Sequence, residues 1–177
     1  MPLRGIILGI AAMTVIVTVS NVAVQYQIND WLTWGALTYP ISFLVTDLTN
    51  RSLGAVAARR VVYVGFAVAV VLSIAAAGPR IAAASGLAFL LAQLLDITIF
   101  DRLRRAAWWR APLISSALAS ALDTAVFFSL AFAGTDVPWV TLGLGDYGVK
   151  LAMALVMLLP FRMLMARIRP QALDLRV

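Results

Sequence analysis

The chain has 177 residues, of which 63% are hydrophobic and 12% charged, and its mean hydropathy is +0.96. This composition excludes a soluble domain, because a soluble domain needs more polar surface to cover its core. It contains no cysteine and no histidine, which excludes disulfides, thiol chemistry and the commonest metal ligands, so we expect neither a metal nor a cofactor. The net charge of +6 would suggest nucleic acid as a partner of a soluble protein, but these arginines lie beside apolar segments, which favours membrane lipid instead.

Six stretches of mostly apolar residues follow one another along the chain, each close to the length of about 20 residues that a helix needs to cross a bilayer. The first stretch resembles a signal peptide, but no small-residue cleavage site ends its apolar core, and we interpret it as the first helix of the mature protein. We therefore predict an all-α integral membrane protein that forms a single domain over residues 1–177. Its expected spans cover residues 5–26, 32–48, 59–77, 81–100, 112–133 and 139–165.

Basic residues are distributed unequally between the two sides of these spans. The first, third and fifth connections hold only Arg80 as a basic residue, together with Asp30 and Asp136. The two terminal segments and the other connections hold twelve of the fourteen basic residues: Arg4, Arg51, Arg59, Arg60, Arg102, Arg104, Arg105, Arg110, Arg162, Arg167, Arg169 and Arg176. Because cytoplasmic loops carry the excess of Lys and Arg, we expect a multi-pass protein of the cell inner membrane with both termini in the cytoplasm.

Runs of small residues occur at residues 75–86, 115–121 and 142–148. Such residues let helix backbones approach closely, since lipid provides no hydrophobic drive for helix association. Packing within one bundle is the interpretation we favour, and a homodimer interface is the alternative.

Polar side chains inside the spans are the main indication of function, because a charge at the bilayer centre costs about 2.5–3.5 kcal/mol even on lenient scales. With a rise of about 1.5 Å per residue, Asp123 and Lys150 each lie roughly 16 Å along their spans, and Gln93 lies at a similar depth. Asp146 shares a helix face with Lys150 through its i, i+4 spacing. This pattern predicts a polar cavity near the midplane, and a buried ion pair that only fixes the packing is the alternative.

Other features of the spans have weaker interpretations. Pro40 interrupts the second span, since it removes a backbone hydrogen bond, and such breaks are tolerated where they line protein or a cavity. Tyr39, Phe43 and Trp34 flank the break and offer flat faces to an aromatic ligand, although Trp34 also suits an interfacial aromatic belt. Asp47 and Asp96 lie near cytoplasmic ends of their spans, where arginines were the expected partners: Arg51, Arg59 or Arg102.

Several segments resemble the queuosine precursor transporter family in matching order. The longest is TWGALTYPISFLVTDLTNRSLGAVAARR at 33–60, and the others are SNVAVQ at 20–25, AQLLDITIFDRLRR at 92–105, WWRAPLISSALAS at 108–120, LDTAVFF at 122–128 and DYGVK at 146–150. The resemblance covers nearly the whole chain. It implies import of 7-cyano- or 7-aminomethyl-7-deazaguanine for salvage into queuosine of transfer RNA, and a fold similar to the substrate-binding components of energy-coupling-factor vitamin transporters.

The resemblance suggests a binding role for each group of residues. A carboxylate, from Asp123 or Asp146, would accept from the N1 and 2-amino donors of a deazaguanine. Donors to its carbonyl and ring nitrogen would come from Lys150, Asn21 or Gln93, and its flat face would stack on Tyr39, Phe43 or Phe127. The segment Thr46–Asp47–Leu48 is expected to be structural or gating, and to tie the second span to the loop with Arg59 and Arg60.

Two other classes of membrane protein are alternatives to a self-sufficient carrier. A membrane enzyme acting on lipid-linked substrates needs paired carboxylates at metal-binding spacing, whereas Asp96 and Asp101 are five residues apart and do not share a helix face. A substrate-binding subunit that needs a separate energising complex is the stronger rival. The sequence has no G-x-x-x-x-G-K-[ST] loop, so ATP-driven transport would require another chain to hydrolyse the nucleotide.

Overall fold

A computed structural model describes residues 2–167, except the side chains of residues 2, 69, 73, 76 and 77. Arg169 and Arg176, which contributed to the predicted orientation, lie outside the described residues. Most of the described chain is helical. Its elements in order are α1 (Pro2–Ala23), β1 (Gln27–Asn29), β2 (Leu32–Thr33), α2 (Trp34–Thr38), α3 (Ile41–Leu53), α4 (Ala55–Ala77), α5 (Pro79–Leu103), α6 (Arg110–Phe132) and α7 (Trp139–Arg167).

Five helices, α1, α4, α5, α6 and α7, are long and apolar enough to cross a membrane. The remaining predicted span is not one helix. Leu32 and Thr33 form strand β2, which pairs antiparallel with β1, and the helix that follows is divided at Pro40 into α2 and α3. Proline has no N–H and clashes with the preceding turn, so α2 ends at Thr38 and α3 begins at Ile41. Together, α2 and α3 cover residues 34–53, or roughly 30 Å of helix, the thickness of a bilayer core.

Glycine makes two helix–helix junctions unusually short. Gly54 (φ 88°) alone separates α3 from α4, and Gly78 (φ 79°) alone separates α4 from α5. Only glycine adopts this left-handed region without strain. As a result α4 begins at Ala55 rather than at the predicted residue 59, and Arg59 and Arg60 lie on a helix, exposed, rather than in a loop.

The contacts between helix ends show how the chain alternates between two ends of the bundle. At one end, Thr141 of α7 donates to the carbonyl of Asp30 at 3.3 Å, and Arg80 of α5 donates to the carbonyl of Ala133 at 2.8 Å. At the other end, Arg51 of α3 donates to the carbonyl of Arg104 at 2.6 Å. We call the first the hairpin end, after β1–β2. The second is the terminal end, because α1 begins and α7 ends there.

The distribution of side chains is the reverse of a soluble protein's. Large apolar side chains point outward, such as Leu8 at 70% exposure and Val71 at 69%, as expected for helices in lipid. Much of the interior is polar. The predicted small residues line contacts inside the bundle, since Ala84, Gly86 and Ala119 are buried. A homodimer stays a prediction.

Candidate binding site at the centre of the bundle

The centre of the bundle holds one ammonium group between two carboxylates. Lys150 Nζ lies 2.7 Å from Asp123 Oδ2 and 2.5 Å from Asp146 Oδ2. The three side chains are 3–5% exposed. Tyr39 donates its hydroxyl to Asp123 Oδ1 at 2.7 Å, and its ring centroid lies 5.0 Å from Lys150 Nζ, within cation–π distance. We call Asp123, Asp146 and Lys150 the charged trio.

Local sequence explains how the trio is assembled. Asp146 and Lys150 lie one turn apart on α7, and Thr124 follows Asp123 on α6. The Thr124 hydroxyl donates to Asp146 at 2.7 Å and lies 3.1 Å from Lys150 Nζ. Tyr39 reaches Asp123 from the residue that precedes the proline break between α2 and α3. A buried ion pair needs such extra hydrogen bonds, because Coulomb attraction alone does not offset the desolvation of both charges.

A cavity opens beside the trio towards the hairpin end. All three charged residues line it together with Tyr39. Its remaining walls are small or polar on one side and apolar on the other: Ser20, Asn21, Val24, Gly35, Ser85 and Phe127. An apolar wall combined with a few convergent polar groups is typical of small-molecule sites. We call this the hairpin-side cavity.

A second cavity lies on the other side of Lys150. Its lining includes Pro40, Phe43, Asp47, Ser116 and Ser120, with Pro112 and the apolar face of α7 from Ala154 to Phe161. We call it the terminal-side cavity. Lys150 borders both cavities, so the trio and the Tyr39 ring separate them.

The structure unites most of the residues that were predicted to bind a ligand. Asn21 and Phe127 line the hairpin-side cavity with the trio and Tyr39, whereas Phe43 lines the terminal-side cavity. Trp34 is 54% exposed and lines neither. Their individual roles in binding stay predictions.

The predicted position of Gln93 beside the charges is wrong. Its amide is fully buried between α5 and α3, where it donates to Ser42 at 3.0 Å and accepts from Thr46 at 2.5 Å. Its depth along the span does not decide its partner, because the side chain points to α3 and not to α6 or α7. Thr46 accordingly bonds to α5 and not to the Arg59–Arg60 segment.

The arginine partners predicted for Asp47 and Asp96 are also wrong. Arg51 donates to a backbone carbonyl, and Arg59 and Arg102 are exposed. Among residues 2–167, no ion pair involves either carboxylate. The partner of Asp47 is instead Ser116, whose hydroxyl lies 3.4 Å from Oδ2.

Sequence reasoning missed two serines of the site. Ser85 donates to Asn21 Oδ1 at 2.6 Å, and Ser20 donates to Thr38 at 2.9 Å. Ser85 lies in the run of small residues that was interpreted as packing.

The fold and the site together define a multi-pass helical membrane protein that can hold a small polar solute away from water. The chain belongs to the family described as putative vitamin uptake transporter, whose profile matches residues 33–77 and 72–165. This confirms the prediction of a membrane transporter rather than an enzyme, and it confirms the family resemblance seen in the sequence.

The similar proteins carry a consistent name. Over 154 residues the chain is 38% identical to the probable queuosine precursor transporter of Haemophilus influenzae, which covers 72% of this chain and 66% of that protein. Over 174 residues it is 33% identical to the queuosine precursor transporter of Escherichia coli, covering 82% and 79%. The chain thus spans about two thirds to four fifths of these relatives' length. No solved structure matches, so the expected likeness to energy-coupling-factor components stays a prediction.

Proposed function

We propose that this chain imports queuosine precursors, 7-cyano- or 7-aminomethyl-7-deazaguanine, and binds them in the hairpin-side cavity. The names of its relatives support this substrate class. The observation that carries the proposal is the charged trio, which lines that cavity with one ammonium and two carboxylates. A purely structural ion pair needs no cavity beside it.

The chemistry of a deazaguanine matches the lining. Its N1 and 2-amino groups are neighbouring donors, and a carboxylate accepts two such bonds in parallel. The bonds that the structure gives Asp146 fall on Oδ2, so we assign its Oδ1 as the acceptor for one of these two donors. Lys150 would donate to the carbonyl, and Asn21 to a ring nitrogen. Phe127, on the apolar wall, would stack on the flat face.

Charge distinguishes the two precursors. The trio carries one net negative charge, and the 7-aminomethyl group is a cation whereas the nitrile is neutral. A competition assay between the two compounds would therefore measure how strongly the charge of the trio affects the affinity for the solute.

We further propose that the protein lies in the inner membrane with its termini in the cytoplasm. The described arginines support this, because the terminal end holds Arg4, Arg51, Arg104 and Arg162 whereas the hairpin end holds Arg80. The hairpin-side cavity would then face the outside, as an importer's loading site must.

Complementation tests the proposal directly. Cells unable to make deazaguanines would express the chain, receive a low concentration of either precursor, and be assayed for queuosine in transfer RNA. We expect wild type to restore queuosine, and Asp123→Asn and Lys150→Met to lower uptake by more than about tenfold, since each breaks a buried charge contact. The exposed substitutions Asp30→Asn and Arg60→Met serve as matched controls.

The possible outcomes separate the alternatives. Wild-type protein that is inserted in the membrane but restores no queuosine would overturn the substrate. Normal uptake by both trio variants would show that the solute binds elsewhere in the bundle. Purified chain that exchanges precursor across liposomes by itself would exclude the rival in which a separate energising complex is required.

A further inference from the structure

A second group of buried acids lies outside the proposed solute site. Asp47 on α3 and Asp96 on α5 are neighbours, because two hydrogen bonds join these helices on either side of them: Thr46 to Gln93 at 2.5 Å, and Asn50 to the carbonyl of Ile97 at 3.2 Å. Asp47 is 3% exposed and Asp96 is fully buried. We call these two residues the acid pair. The two residues lie on helices that are not consecutive in the chain, because α4 crosses the membrane between α3 and α5.

The acid pair has fewer donors than its oxygens require. Asp47 Oδ1 and both oxygens of Asp96 have no hydrogen-bond partner among the described residues, although all three atoms are buried. A buried polar atom without a partner costs about 1–3 kcal/mol, and more when it is charged. Two ionised carboxylates are acceptors only and cannot bond to each other, whereas one shared proton turns their contact into a hydrogen bond.

The charged groups around the acid pair are engaged elsewhere. Arg51 of α3 and Arg104, which follows α5, both donate to backbone carbonyls at the terminal end. Lys150 of α7 is held by the two carboxylates of the trio. The nearby groups of α6 are uncharged hydroxyls: Ser116 lies 3.4 Å from Asp47 Oδ2, and Ser115 donates to the carbonyl of Pro112. The arginines on the remaining neighbours α1 and α4 are exposed: Arg4, Arg59 and Arg60.

A proton fits this site better than a metal cation. The described residues contain no group of three or more acidic ligands that could hold a metal ion. Sodium or calcium would need about six oxygen ligands, but the acid pair and its two serines offer few, and Asp96 has no access to solvent. Like charges at contact distance in a low-dielectric site cannot both stay ionised, which favours one bound proton.

Cavity geometry connects the acid pair to the solute site. Asp47 and Lys150 line the same terminal-side cavity, and Lys150 also lines the hairpin-side cavity. With a proton bound, the acid pair has one negative charge and Lys150 stays with Asp123 and Asp146. Loss of the proton would add a second negative charge, which would attract Lys150 towards the terminal side and weaken its contact with the solute.

From these contacts we infer that Asp47 and Asp96 form a proton-binding site that couples solute movement to the proton gradient. The inference rests on the proposed import function for its transport step. The proton site itself does not, because protonation can be observed without any solute.

Infrared spectroscopy of the purified protein tests the proton site alone. A carboxylic acid has a carbonyl stretch that a carboxylate lacks, so wild type should show this band at neutral pH. The band should vanish in both Asp47→Asn and Asp96→Asn and persist in the exposed control Asp30→Asn. An absent wild-type band, or one that persists in both acid-pair variants, would overturn the proton site.

Liposomes containing the purified chain test the coupling, with 7-aminomethyl-7-deazaguanine and its nitrile as the solutes. If one proton accompanies each solute, an inside-alkaline gradient of about one pH unit supports about tenfold accumulation. Asp96→Asn should lose this accumulation but keep solute counterflow, which needs no net proton movement. Asp30→Asn should keep both.

Each result of the liposome assay has one meaning. Counterflow without any gradient-driven accumulation in wild type would overturn the coupling, as would accumulation that survives in Asp96→Asn. Accumulation driven by a sodium gradient, and not by a proton gradient, would show that sodium is the coupling ion and would overturn proton coupling. Absence of wild-type counterflow would overturn the proposed function, and the infrared result would still decide the proton site.

Discussion

The charged trio and the acid pair both border the terminal-side cavity, through Lys150 and Asp47 respectively, and their carboxyl groups compensate their charge in different ways. In the charged trio, Asp123 and Asp146 share the ammonium of Lys150, and hydroxyl groups complete their hydrogen bonds. In the acid pair, Asp47 and Asp96 have no basic partner among the described residues and leave three buried oxygens unbonded.

The difference indicates two kinds of task. A carboxylate held by a lysine keeps a fixed charge, which suits recognition of a polar solute. A carboxylate that faces another carboxylate is stable only when a small cation joins them, so its charge changes with occupancy. The following predictions test this division, beginning with the largest effect.

Removing the ammonium should be the most damaging single change. Lys150→Met leaves two buried carboxylates without their cation, and breaking such a contact costs about 3–5 kcal/mol of unfolding free energy. Adding Asp123→Asn should recover part of this loss, because only one carboxylate then remains uncompensated. Thermal unfolding of the detergent-solubilised variants measures both steps. A double variant less stable than Lys150→Met would contradict the fixed-charge role.

Sequence alone predicted the trio well for geometric reasons. Asp146 and Lys150 share a face through their i, i+4 spacing, and counting residues along two antiparallel helices placed Asp123 at the same depth as Lys150. Each estimate needed only one coordinate, the distance along a helix axis, since the spans around these residues are regular helices.

The acid pair and Gln93 show where that reasoning ends. Which way a side chain points around its helix depends on tertiary packing, and a helix with polar residues on several faces does not reveal it. Gln93 was therefore placed beside the wrong helix, and Asp47 was assigned to nearby arginines although its hydrogen-bond partner is Ser116. The division of the second span was foreseen at Pro40, but strand β2 and the extension of α3 to Leu53 were not.

The tyrosine at the helix break should have the next largest effect. Tyr39→Phe removes the hydroxyl that donates to Asp123 but keeps the ring near Lys150. A hydrogen bond to a charged group contributes about 1.5–3 kcal/mol, so we expect weaker solute binding with the fold intact. Isothermal titration with the precursor measures the dissociation constant. Tyr26→Phe, at a residue 63% exposed, is the matched control. If Tyr39→Phe and Tyr26→Phe bound the precursor with equal affinity, the Tyr39 hydroxyl would have no role in solute binding.

The smallest effect should come from the acid pair, and it would separate the two groups most clearly. Asp96→Asn replaces the shared proton by an amide, which can donate to Asp47 and keeps a single negative charge in the pair. We therefore expect the free energy of unfolding to change by less than about 1 kcal/mol. Asp96→Ala, which provides no donor, should cost more because Asp47 then keeps a buried oxygen without a partner. Chemical unfolding of both variants at one pH gives the comparison. If Asp96→Asn destabilised the protein as much as Lys150→Met, the acid pair would be a fixed structural contact, and its carboxylates would be compensated in the same way as those of the trio.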